Sequence, residues 1–376
     1  MLVSRREVLS GLAAASLSLA KPAPIATVAI ARCRNYDDDL TGKLSKMFDQ
    51  IGGVHQLVKG KTVALKLNLT GKPTRFPIDP ALPYRSNPDT VLATAHLLAR
   101  AGAKRIRIIE TFFPARQEME LWARYGLDIK AINNVGCKVE WENGQNLGYG
   151  KKYVTVKTPG GGYMYPAYML NHSFVDCDVY ATLAKLKNHW IAGVTLSLKN
   201  SFGITPCSLY GGDCGPSGNE NPDQERSPVC HNGKVTPPAG VPQELDASSP
   251  RDFGYRVPRI VADLNGVRPI DLAIIDGVES IRGGEGVWNP GVQLIKPGVL
   301  IAGRNPVCVD AVSMAVMGYD PKSDRGTKPF VRGDSALKLA EAKGIGSTDL
   351  SRIEVAGLSI KDACHDYGPG PIGVKI

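Results

Sequence analysis

The stretch from Lys185 to Gly203 holds Lys185, Lys187, Lys199, His189, Asn188 and Asn200 within nineteen residues. It follows the apolar run Phe174–Leu183. Lysines are costly to place in an apolar segment without partners, so cations, amides and an imidazole at the end of a strand suit an anionic ligand. Lys185, Lys187 and His189 share one face of an extended chain if the strand persists, with Lys199 and Asn200 returning toward it. The plainer alternative is a strand end followed by a solvated amphipathic stretch.

Other predicted strands also end on polar groups: Lys66 and Asn68, Glu110, Asp276, and Arg304-Asn305. Open α/β sheets bind ligands beyond the carboxyl ends of their strands, so these endings suggest a shared polar floor. Alternation puts Lys66 and Asn68 on one face, opposite Val63, Leu65 and Leu67. The candidate substrate-binding residues are therefore Lys66, Asn68, Lys185, Lys199, Asn200, Arg304 and Asn305, with Lys187 and His189 as candidate catalytic groups. Asp276 and Asp310 are candidate ligands for a divalent metal. Asp310 near the start of a helix is equally explained by the favourable field there. In Gly283-Gly284-Glu285-Gly286, Glu285 is a further candidate for a cation, although such a turn is often purely structural.

The central segment resembles the signature of the bacterial and archaeal family called domain of unknown function 362. That motif reads roughly Lys-Leu-Lys-Thr-His, Gly-Val-Thr and Leu-Lys-Asn-x-Phe-Gly. It is matched by Lys185, Leu186, Lys187, His189, Gly193, Val194, Thr195, Leu198, Lys199, Asn200, Phe202 and Gly203, with Asn188 and Trp190 in place of Thr and Gly. Lys66–Leu69, Ala101–Arg105, Ile275–Gly277 and Asn305–Ala311 extend the resemblance over about residues 28–320. The resemblance implies a histidine after the Lys-Asn-x-Phe-Gly segment, which His231 supplies. His231 is thereby a third candidate catalytic group, able with His189 and a carboxylate to form an acid–base pair or a mixed N/O metal site. It implies no established reaction. Some relatives carry a ferredoxin-like iron–sulfur module; the cysteine spacing here lacks a C-x₂-C-x₂-C run and does not support one.

Of the eight cysteines, Cys33, Cys137 and Cys364 are uninformative and the other five fall into two groups. Cys177 and Cys308 lie in apolar elements and read as buried thiols. Cys207, Cys214 and Cys230-His231 lie in a loop, where a Cys207–Cys214 disulfide is the first expectation in an oxidising compartment and a metal site the second. No G-x-S-x-G, H-E-x-x-H, C-x-x-C, P-loop or dinucleotide fingerprint occurs, so the corresponding hydrolase, zincin, redox and nucleotide readings lack support.

The elements that must position these groups alternate between strand and helix. Strands are expected at Thr27–Ala31, Lys61–Asn68, Arg105–Ile109, Lys138–Trp141, Tyr153–Lys157, Val175–Leu183, Asp271–Ile275, Gly298–Ala302 and Arg352–Val355. Helices are expected after Asn87-Pro88, at Gln117–Tyr125, Val257–Val267, Val307–Met317 and Ser335–Ala342. Asn followed by Pro is an N-cap and first-turn signature. The pattern predicts an α/β fold, a largely parallel sheet with flanking helices, in two closely packed lobes (27–205 and 253–376). Residues 206–252, rich in Pro, Gly, Ser, Asn and Asp, read as an irregular loop insertion over the site.

Residues 1–26 read as a twin-arginine signal and short linker. Arg5-Arg6 precede a short, weakly apolar run ending Ser18-Leu19-Ala20, which is too short to span a bilayer. The expected location is therefore periplasmic or secreted, with the twin-arginine export machinery as a partner. Residues 1–20 hold two Arg and one Glu, so their removal takes the net charge from +9 to +8. The balance suits a small anionic partner. No basic run or basic–aromatic repeat points to nucleic acid, and no transmembrane segment is expected after the signal.

Overall fold

The computed structural model describes residues 24–71, 79, 82–111, 119–144, 153–211 and 226–370. Eight strands form the central sheet: β1 Val28–Arg32, β2 Thr62–Lys66, β3 Arg105–Glu110, β4 Lys138–Asn143, β5 Val179–Lys185, β6 Leu272–Gly277, β7 Val299–Gly303 and β8 Val355–Gly357. Their order is β8-β1-β7-β6-β5-β2-β3-β4. Only β7 runs against its neighbours; every other pairing is parallel.

Both sheet faces are apolar, as a mostly parallel sheet requires, since helices cover each side. One face, with Val63, Leu65, Ile106, Ile108, Val179, Ala181, Leu183, Leu272 and Ile274, packs under α1 (Leu40–Gln50) and α2 (Pro88–Arg100). The other face, with Ala64, Tyr180, Ala184, Ala273 and Ile275, packs under α3 (Leu196–Asn200), α4 (Phe253–Val267) and α5 (Pro306–Val316). The result is a three-layer α/β/α architecture. α6 (Ala336–Ala342) flanks α4 on the second side.

Local signals are realised at both Asn-Pro sequences. Asn87 Oδ1 accepts from the Asp89 and Thr90 amides at 2.8 and 3.4 Å, and Asn305 Oδ1 accepts from those of Val307 and Cys308, each at 3.1 Å. Each side chain thereby satisfies N–H groups that have no intrahelical acceptor.

The segments expected as two lobes share this one sheet. β1, from the first segment, pairs with β7 and β8 from the second, and β5 pairs with β6. Helical and strand periodicity is local, whereas strand order is a long-range choice made by packing. Tyr153–Lys157 forms a separate hairpin with Ala167–Asn171 rather than joining the main sheet. The start expected for the strand at Val175 is instead the end of a helical turn, His172–Val175.

Among the described residues, no strand occurs in the insertion 206–252. It holds helical turns at Cys207–Tyr210 and Ser227–His231, and it buries Val229, Cys230 and Val241 against the core. The described parts of the insertion, 206–211 and 226–252, are thus packed into the fold. Cys207 is buried; Cys214 lies outside the described residues, as does most of the expected signal segment. Among the described residues no helix is long and apolar enough to cross a membrane.

Candidate functional site

Beyond the carboxyl ends of β2, β3 and β5 lies a cavity of about 110 Å³. Its lining includes Lys66, Asn68, Glu110, Lys187, His189, Lys199, Asn200 and Arg226. Each side chain arrives there for a local reason.

Lys66 ends β2, on the sheet face that carries Ala64 and lies opposite Val63 and Leu65. Its ammonium donates to Glu110 Oε1 and Oε2 at 3.0 and 3.2 Å, to the Leu67 carbonyl at 2.9 Å and to Asn200 Oδ1 at 3.3 Å. Burial lowers its pKa, and Glu110 opposes that shift. Glu110 also accepts from the Leu69 and Thr111 amides at 3.0 and 2.8 Å. Asn200 donates to Thr182 Oγ1 at 2.6 Å, and Thr182 is the β5 neighbour of Lys66 in register. Gly203 closes this corner: a Cβ there would stand 2.8 Å from Lys66 Cε and Nζ. The protons of Lys66 are all used within the protein, so it organises the floor.

Lys187 lies beyond the end of β5. Its Nζ donates to the Tyr84 and Glu285 carbonyls at 2.6 and 2.8 Å, and burial pushes its pKa well below the usual lysine range. As an ammonium it has one proton left for a ligand. Glu285 is held by the Trp190 amide at 2.8 Å and the Trp288 indole N–H at 2.9 Å.

His189 belongs to a two-residue strand, Asn188–His189, paired with Gly193–Val194. Its Nδ1 accepts from the Ile191 and Ala192 amides, both at 3.2 Å. The neutral ring must therefore carry its proton on Nε2, at the opposite edge. Burial, then Lys199, Lys187 and His231, hold the pKa well below the ordinary value. His189 is a neutral hydrogen-bond donor.

Lys199 differs from the other two cavity lysines. It is only partly exposed, lies 4.4 Å from the Phe202 ring centroid, and has no hydrogen-bond partner among the described residues. Burial, together with Arg226 and Lys66, brings its pKa to about 7, against the raising influence of Glu285. The short helix that carries it is fixed by Asp310. That carboxylate accepts from the Ser197 amide at 2.9 Å, the Ser197 hydroxyl at 2.5 Å and the Leu198 amide at 2.8 Å. Leu196, at the start of the turn, takes a left-handed φ of 47°. Burial raises the Asp310 pKa to about 7.

One cavity acceptor is unsatisfied among the described residues. Asn68 Nδ2 donates to Asn200 Oδ1 at 3.0 Å, while the buried Asn68 Oδ1 has no hydrogen-bond partner among the described residues. An orphaned buried amide oxygen is costly, and a ligand hydroxyl or N–H would satisfy it.

The remaining sequence candidates lie elsewhere. Lys185 is on the opposite sheet face from Lys66, because alternation along β5 sends residues 182 and 185 to different sides. Its Nζ is 3.1 Å from Asp276 Oδ2 and donates to the Tyr36 hydroxyl at 3.1 Å and the Glu279 carbonyl at 2.6 Å. The period of two fails because β5 ends at Lys185. Arg304 is exposed, and Asn305 spends its amide on the helix cap and on the Ile345 carbonyl at 2.8 Å. His231 lies between Phe202 and Phe253, with ring centroids 5.2 and 5.8 Å away, and burial lowers its pKa to about 3. It does not line the cavity.

The residues present do not fit the expected divalent metal. Asp276 is engaged by Lys185, by the Tyr36 hydroxyl at 3.0 Å and by the Val278 amide at 3.1 Å, and Asp310 by the start of α3. Among the described residues no cluster of three or more His, Cys, Asp or Glu could hold a metal ion.

Sequence reasoning placed Glu110 only as a strand end, and passed over Arg226 and Phe202 as site residues. Strand-end polarity could have selected Glu110; Arg226 lies in the insertion, where no periodicity points to the site. Its Nε donates to the Thr205 carbonyl at 2.6 Å, and its Nη2 to that of Gly203 at 3.3 Å.

No curated protein sequence matches the chain. Among solved structures, the lactate racemase apoprotein from Thermoanaerobacterium thermosaccharolyticum aligns with a TM-score of 0.36 and 12% identity, over 74% of this chain and 54% of that one. The chain thus spans about half the length of that protein. The family model described as Domain of unknown function (DUF362) matches residues 63–315, and the chain belongs to that family.

Proposed function

We propose that this chain is an exported enzyme acting on a small anionic molecule, bearing a carboxylate or phosphate, in the cavity between Lys66 and Lys199. The carrying observation is Lys199, an amine in a sheltered, cation-lined cavity with no hydrogen-bond partner among the described residues. Lys66 is neutralised by Glu110, and Lys187 donates to two carbonyls. Lys199 is left for a ligand. A cavity near 110 Å³ lies below the range of about 300–1,000 Å³ typical of sites for drug-sized ligands, so the molecule has few heavy atoms.

In this reading Lys199, Lys187 and Arg226 stabilise negative charge, and the His189 Nε2–H donates to an oxygen on which charge develops. A group with a pKa near 7 can give or take a proton at neutral pH, which assigns proton transfer to Lys199. The test is calorimetric titration of the mature chain with sulfate and acetate. Lys199→Met should weaken anion binding by about 1–3 kcal/mol, as expected for loss of a charge-assisted hydrogen bond. Lys322→Met, in an exposed loop, should leave it unchanged. Equal behaviour of the two variants would remove the site assignment.

A further inference from the structure

We propose that Lys199 forms a covalent imine with the carbonyl carbon of a small 2-oxo acid. This deepens the reading above and rests on it, since the acid's carboxylate is the anion that the cavity would hold.

Four features of the cavity fit a carbonyl next to a carboxylate. Lys199 is a primary amine with no hydrogen-bond partner among the described residues, packed against the Phe202 ring at 4.4 Å. Desolvation beside other cations is how proteins free a lysine to act as a nucleophile at neutral pH; here the same surroundings bring it to about 7. Lys187 and Arg226 remain in the lining to hold the carboxylate. His189 is locked by the Ile191 and Ala192 amides into the tautomer with an Nε2–H. Such a neutral donor can polarise a carbonyl without protonating the amine. Asn68 Oδ1, without a hydrogen-bond partner among the described residues, is the fourth feature. Neither a carboxylate nor a ketone can satisfy it, whereas the hydroxyl of a carbinolamine or the N–H of a protonated imine can.

The chemistry balances without a redox partner. The neutral Lys199 nitrogen adds to the carbonyl carbon, and the C=O π pair moves to oxygen, beside the His189 donor. The nitrogen gives up a proton and the oxygen gains one, forming the carbinolamine. The hydroxyl takes up one proton from solvent, the nitrogen lone pair expels it as water, the C–O bond breaks, and a protonated imine remains. Water is the sole by-product.

The experiment incubates the mature chain with pyruvate and sodium borohydride and maps adducts by peptide mass spectrometry. Lactate, which has the carboxylate but no carbonyl, is the matched control, and binding of both acids is followed by calorimetry. The expected result is a reduced adduct on Lys199 with pyruvate alone, increasing as pH is raised through about 7. Lys199→Arg should still bind both acids yet lose the adduct, and Lys322→Met should keep it. Binding of both acids with no adduct on Lys199, or with labelling spread over surface lysines, would overturn the imine and leave the anion site standing. Absence of both binding and adduct would overturn the two readings together.

Discussion

Lys185 and Asp276 face each other across neighbouring parallel strands, with Nζ and Oδ2 3.1 Å apart and both side chains fully buried. The pair lies on the sheet face away from the cavity, against Tyr36. Removing one member strands the other charge in the core, at a cost of about 3–5 kcal/mol. Lys185→Met should therefore lower stability by that amount in urea unfolding while leaving sulfate affinity unchanged in protein that remains folded. A loss of affinity with little loss of stability would return Lys185 to the ligand site.

Lys199 sets a pH dependence whose sign can be worked out. In the unfolded chain a lysine titrates near about 10.4, and in the fold Lys199 titrates at about 7. Between these values the unfolded chain holds the extra proton, so the residue's contribution to stability rises with pH across that window and is lowest below about 7. Lys199→Met should accordingly stabilise the ligand-free protein most below pH 7. Sulfate, whose charge is constant in this range, should bind best below about 7 and progressively less above it in the parent chain. In Lys199→Arg that pH dependence should be lost, because arginine stays charged.

Asp310 holds the turn that presents Lys199 and Asn200. Asp310→Asn leaves one oxygen to serve the Ser197 and Leu198 amides and sets an N–H₂ against them. A destabilisation of about 1–3 kcal/mol is expected. Weaker sulfate binding should accompany it, because Lys199 and Asn200 are displaced together. Unchanged unfolding midpoints would show that the carboxylate is dispensable as a cap.

Export is expected to depend on Arg5 and Arg6 as a pair. Arg5→Lys combined with Arg6→Lys should leave precursor in the cytoplasm, measured by fractionation and immunoblot. Undiminished appearance outside the cytoplasm would discard the twin-arginine reading.

Periodicity and caps in the sequence identified most strands of the sheet and its main helices. They did so because a buried parallel strand needs an apolar run and a helix start needs acceptors for its free N–H groups, and both are local requirements. Lys66 and Asn68 could be assigned to a common face for the same reason: alternation within one strand is local. Which strands become neighbours is not local. Packing brought Thr182 beside Lys66 and Asp276 beside Lys185, so two polar residues three positions apart on β5 serve opposite faces of the sheet. The end of β5 at Lys185 broke the alternation expected to unite Lys185, Lys187 and His189. Partner choice separated the other candidates in the same way. Asn305 became a helix cap, Asp310 a brace for α3, and Glu110 the partner of Lys66, while Lys199 was left with its amine unpaired among the described residues. Residue type shows that a charge must be matched once it is buried; only the tertiary contacts select which group matches it, and therefore which charge remains for a ligand.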